Sequence, residues 1–207
     1  MLQGHVNFKD LNGLIDFAEL FLKKCRLPSL NYDVERCLRK ENGSYSPVPG
    51  LMYCFSIIDL LGALIKGQAI GGHTTNNSKN YLISFINYPV DIVDLMWEKF
   101  YRHKITHLSI PQTAVKIFSG KIISWNLHDE DPNNHLKILW NKEIIEIGDK
   151  CGQIHIDGKF VINIRELKND IIDSVNRTPD GYLEKLKSDK KLQNNFEIAI
   201  NQIYEVK

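Results

Sequence analysis

The stretch GLMYCFSIIDLLGALI, residues 50–65, constrains the fold of this chain more than any other. Wound as a helix it is apolar on nearly every side, and such a helix has to be surrounded. Ser56, Asp59 and Gly62 interrupt it. The run is also shorter than the roughly 20 apolar residues that cross a bilayer. The sequence therefore predicts the buried central helix of a bundle, with no membrane partner.

Helical patterns flank this segment. Leu14, Phe17, Leu20 and Phe21 recur at helical spacing in FKDLNGLIDFAELFLKKC. The turn-rich stretches LPSLNY and KENGSYSPVPG then read as a break before the central helix. KGQAIGGHTTNNSKN reads as a polar loop; no Gly-Lys-Ser/Thr follows its glycines, so it is not a phosphate-binding loop. NSKNYLISFINY has the length of a short helix. VDIVDLMWEKFYRHKITHL, which follows Pro89, reads as another that stops before Pro111.

After Pro111 the texture changes. AVKIFSGKIISWNL places Ser119-Gly120 between two halves rich in β-branched and aromatic residues, a hairpin pattern. GQIHIDGKFVINI places Asp157-Gly158 between alternating apolar residues, a stronger hairpin signal. From Arg165 a helical pattern resumes, is interrupted by RTPDG, and ends in one amphipathic helix from Tyr182 onward. The expected fold class is α+β in a single domain, 1–207. A helical bundle core spans about 1–110, a small antiparallel sheet of hairpins about 113–165, and C-terminal helices about 165–204.

The 207 residues carry a formal net charge of +1, so any anion-binding surface must be local. Lys23, Lys24, Arg26, Arg36, Arg39 and Lys40 do cluster, and a solvated face is the simpler account of them. Cys25, Cys37, Cys54 and Cys151 form no CxxC and no zinc-finger spacing, and Cys54 reads as a small core hydrophobe. The first ten residues lack a basic start followed by an apolar stretch. These features give the expectation of a cytoplasmic protein with free thiols.

FYRHKITHL, residues 100–108, holds the residues that carry chemistry. His103 and His107 lie one turn apart on a helix, with Arg102 beside them and Lys99 and Lys104 adding positive charge. The apolar face is carried by Ile92, Leu95, Met96, Phe100 and Leu108; Trp97, Tyr101 and Trp125 read as packing residues before stacking ones. Three readings compete. Cations in a last helical turn offset the helix dipole. His103 and His107 have a legitimate two-ligand metal spacing, but no Glu follows His103 and the flanking cations repel a metal. His128, Asp129, Glu130, Asp131 and His135, the other candidate ligands, read as a solvated loop, so no metal and no cofactor is expected. The third reading is RNA cleavage. An imidazole is a base near neutral pH, and a guanidinium grips a phosphate through two hydrogen bonds.

Arg102, then His103, then three residues, then His107, on a helix of a helical core, resembles the signature of the HEPN superfamily. That signature is an Arg followed by four to six residues and a His, often with Asn, Asp or His after the Arg. The resemblance covers about Leu51 to Pro111. It implies a helical bundle, a homodimer that pairs two motifs into one metal-independent ribonuclease site, and an acidic residue on a preceding helix, for which Asp59 is the counterpart. It also implies a toxin or defence effector, with RNA or a nucleotide as ligand and a neutralising partner protein. The family's degenerate members imply the alternative of a non-catalytic binding or interaction module. Asp59 itself has two readings: paired to Arg102, or on a polar stripe with Ser56 pointing out of the bundle.

Overall fold

The computed structural model describes residues 8–40, 46–100, 113–117, 119–128, 131–146 and 152–204. The first helix, α1 (Leu11–Ala18), is capped by Asp10, whose Oδ1 accepts the Gly13 N–H at 2.8 Å. It runs through a π-helical segment (Glu19–Arg26) directly into α2 (Leu27–Leu38). LPSLNY, expected as a break, is therefore the start of α2. A proline inside a helix lacks a donor and crowds the carbonyl four residues back. Here the wider winding meets it, with the Leu27 N–H bonding to Leu22 O, five residues back.

The central helix is α3 (Pro47–Lys66). Proline opens it and Gly67, at φ 68°, closes it in the left-handed conformation that glycine tolerates best. At 20 residues it is long and apolar enough to cross a bilayer, so the expectation that it is too short is corrected. Its ends extend beyond the apolar run. Leu51, Cys54, Ile58, Leu61 and Leu64 are fully buried, and α2, α4 (Thr74–Tyr81), α6 (Ile164–Asn176) and α8 (Lys190–Tyr204) pack around it. The start of α4 falls inside the stretch expected as a loop, and the helix continues as a π-helical turn (Leu82–Ile86). After Pro89, α5 (Val90–Asp94) passes into a further π-helical segment (Leu95–Phe100). Met96, Trp97 and Phe100 are buried there, as the apolar pattern predicts for the first and last.

The second half confirms the α+β class, but its strands pair differently from expectation. β1 (Val115–Lys116) and β2 (Ile122–His128) form the hairpin read at Ser119-Gly120, with Gly120 at φ 78°. β3 (Ile138–Leu139) and β6 (Gly158–Asn163) complete a mixed sheet of order β1-β2-β6-β3, in which β2 and β6 run parallel. β4 (Glu143–Glu146) and β5 (Gln153–Ile156) form a separate antiparallel ribbon. Asp157-Gly158 is thus not a hairpin turn. Asp157 is fixed to β2, its Oδ2 accepting the Ile122 N–H at 2.9 Å and its N–H donating to Ile122 O at 2.7 Å. Gly158 is needed for space: a Cβ there would lie 2.7 Å from Leu139 O. Phe160 stacks on Phe100 with centroids 6.0 Å apart, which seats the sheet on the helices.

The expected last helix is two, α7 (Tyr182–Ser188) and α8, divided at Asp189. The Asp189 carboxylate accepts the N–H groups of Lys191 and Leu192, a cap that starts the second helix. On α7, Tyr182 is fully buried and its hydroxyl makes no hydrogen bond among the described residues. Tyr81 is equally buried but shares a 2.8 Å bond with Ser174. Tyr182→Phe should therefore leave stability within about 0.5 kcal/mol or raise it, while Tyr81→Phe should cost about 1 kcal/mol. Urea denaturation of the two variants checks the contrast, and a larger loss for Tyr182→Phe would refute it.

Candidate functional site

Arg102, His103 and His107 lie outside the described residues, as do Tyr101, Lys104 and Leu108. The frame that leads to them is described. Asp59, on α3, is half-buried and accepts the Ser78 hydroxyl of α4 at 2.5 Å. Ser56 is exposed and donates back to Met52 O at 3.0 Å. Next to Ser78, Lys79 reaches Asp94 at 2.7 Å and Glu98 at 2.6 Å. Trp97 meets Phe55, one turn before Asp59, edge to face at 4.8 Å. α3, α4 and the helix from Val90 to Phe100 therefore come together at the level of Asp59, and the chain passes on to Arg102 two residues after Phe100.

Burial pulls the Lys79 ammonium down. The hydrogen bonds and charges of Asp94 and Glu98 outweigh that and hold it above its ordinary value. This ion pair fixes the helix that precedes the motif. Trp97 is 1% exposed, so it is a packing residue. Trp125 is partly buried against the same core.

The 131–135 loop is built by its own polar groups. Asp131 accepts the Asn133 N–H at 3.0 Å and both Asn133 Nδ2 and Asn134 Nδ2. His135 is tied elsewhere: the Asn163 N–H donates to its Nδ1 at 3.1 Å, which leaves the ring hydrogen on Nε2, facing Tyr88 Oη at 3.1 Å. Tyr88 in turn donates to Asp170 Oδ2 at 2.5 Å. Burial pushes the Tyr88 hydroxyl well above its usual range, and the Asp170 charge adds to that. This chain of donors staples the sheet to the corner before α5 and to α6. Asp129 and Glu130 lie outside the described residues, and His128 is the last residue of β2. Among the described residues, no group of three or more His, Cys, Asp or Glu side chains could hold a metal ion.

A second polar cluster went unread in the sequence. Lys168, with a side chain 6% exposed, donates to Glu35 Oε1 at 2.6 Å and to Asn31 Oδ1 at 2.8 Å. Arg165 adds Nε and a second guanidinium nitrogen to the same carboxylate. A signal for it exists: Lys168 occupies an apolar-face position between Ile164, Leu167 and Ile171. Burial raises the Glu35 carboxyl, but the hydrogen bonds and charges of Lys168 and Arg165 outweigh this and hold it below its usual value. The sign follows. This pair stabilises the fold fully above the ordinary carboxylate range, and the contribution is lost as pH falls through the lowered native value. Between about pH 6 and pH 3, wild-type stability should fall more steeply than that of Glu35→Gln. Parallel slopes in denaturation at each pH would contradict the assignment.

No protein-family model, no curated protein and no solved structure matches this chain.

Proposed function

We propose that this protein cleaves single-stranded RNA without a metal, as a homodimer whose two copies each bring Arg102 and His107 to a shared site. One His107 imidazole takes the proton from a ribose 2′-hydroxyl. The freed oxygen attacks the adjacent phosphorus, and the bond to the next 5′-oxygen breaks. A second imidazole, or its copy, returns a proton to that leaving oxygen. The products are a 2′,3′-cyclic phosphate and a 5′-hydroxyl. Arg102 holds the charge that builds on the phosphate oxygens, and His103 orients one of the pair.

The observation that carries this reading is the Arg102-His103-x3-His107 spacing directly after a helix whose buried face is fixed beside Asp59. A half-buried carboxylate held by Ser78 at that level suits a partner guanidinium. A toxin or defence role, a neutralising partner protein and a cytoplasmic setting go with this reading; Cys25, Cys37 and Cys54 are free thiols. The test is digestion of a single-stranded RNA in excess chelator, with the 3′ ends analysed and the mass of the protein measured by sedimentation. Cyclic phosphate ends from a dimer are expected. Cleavage abolished by chelator, or a strict monomer that cuts, would sink the reading. RNA bound but never cut would favour the non-catalytic binding module.

A further inference from the structure

We propose that the outward face of α2, centred on Tyr32, is a binding track for single-stranded RNA. Among the described residues Tyr32, at 59%, is the most exposed of the large hydrophobic side chains. The Arg36 guanidinium, one turn on, sits 5.6 Å from the centre of its ring. This leaves an aromatic surface braced on one side by a cation, the combination on which an unpaired base stacks. Arg39 is exposed where the helix ends, and Lys23, Lys24 and Arg26 are exposed on the preceding turns. Arg26 is itself held 5.0 Å over the ring of Phe21.

The charge balance points the same way. Between positions 21 and 40 the chain has six Lys and Arg against two carboxylates, although the whole chain carries only +1. One of the two, Glu35, is withdrawn into its pairs with Lys168 and Arg165. The other, Asp33, lies close enough to Tyr53 that its charge helps to raise that hydroxyl, after burial. Single-stranded nucleic acid offers what this face lacks, phosphates at regular spacing and flat rings. An anionic lipid surface offers charge alone and gives Tyr32 no ring to stack on. The choice of RNA as the occupant rests on the cleavage reading; the surface itself does not.

The test uses the full-length His107→Ala protein, so that RNA survives, and a labelled single-stranded oligouridine followed by anisotropy. Tyr32→Ala should weaken binding about tenfold while Tyr32→Phe retains it. Arg36→Gln with Arg39→Gln should flatten the dependence of log affinity on log salt by about 1.4, roughly 0.7 for each phosphate contact removed. All of these side chains are exposed, and circular dichroism verifies that the variants fold. Undiminished affinity in Tyr32→Ala, an unchanged salt slope, or no binding by the parent protein would each overturn the proposal. So would phosphatidylserine vesicles that bind through the same residues while RNA does not. RNA held at Tyr32 and never cut by the wild type would instead sink the cleavage reading and leave this surface standing.

Discussion

Gly62→Ala should destabilise the fold by about 3 kcal/mol, the upper end of what overpacking costs. A Cβ at this position would lie 2.7 Å from the Asn77 carbonyl carbon and the Ser78 nitrogen, and 2.8 Å from Asn77 O. All three are backbone atoms of α4, so no side chain can rotate away. Alanine improves helix propensity by about 1 kcal/mol, which offsets only part of the clash. Relief requires α4 to move off α3, and that stretches the Ser78–Asp59 bond and disturbs Lys79 against Asp94 and Glu98. The measurement is the urea midpoint at unchanged slope. A variant as stable as wild type would mean that the two helices do not approach this closely.

His107→Ala should lower RNA cleavage by about 10²–10⁴-fold, the range expected when a positioned proton-transfer group is removed. Arg102→Lys should also fail, because a point charge does not reproduce the planar fork that meets two phosphate oxygens. Initial rates at equal folded concentration, in chelator, decide the matter. Equal cleavage by wild type and His107→Ala would assign the activity to something other than this motif.

The parts of the fold that local pattern controls were legible in the residues. The all-round apolar character of 50–65 identified the central helix, and Ser119-Gly120 identified a hairpin, because both depend on neighbours in sequence. Pro28 reads as a breaker, yet the π-helical winding just before it lets the helix continue. Two further features escaped because their cause lies far along the chain. Asp157-Gly158 reads as a hairpin turn, yet Asp157 answers to Ile122 and Gly158 to the backbone at Leu139. Glu35 and Lys168 stand 133 positions apart, so their pairing has no local signature. Of the candidate site, the sequence offered Asp59 as a candidate but gave no sign of its bond to Ser78, which depends on α4 folding back along α3.

The parallel pairing of β2 with β6 sets an order of events at the ribosome. When His128 is added to the growing chain, the strand that will lie along β2 is still about 30 codons from being made, counted to the start of β6 at Gly158. Until then Phe160, whose ring will stack on Phe100, is not yet in the chain. Because α6 follows β6 without a loop, the residues that close the sheet also deliver Lys168 to Glu35 and Asp170 to Tyr88. Sheet closure, burial of the aromatic face and locking of both polar clusters thus fall to one short run of translation, and a chain released before it lacks α6, α7 and α8 as well as these fastenings.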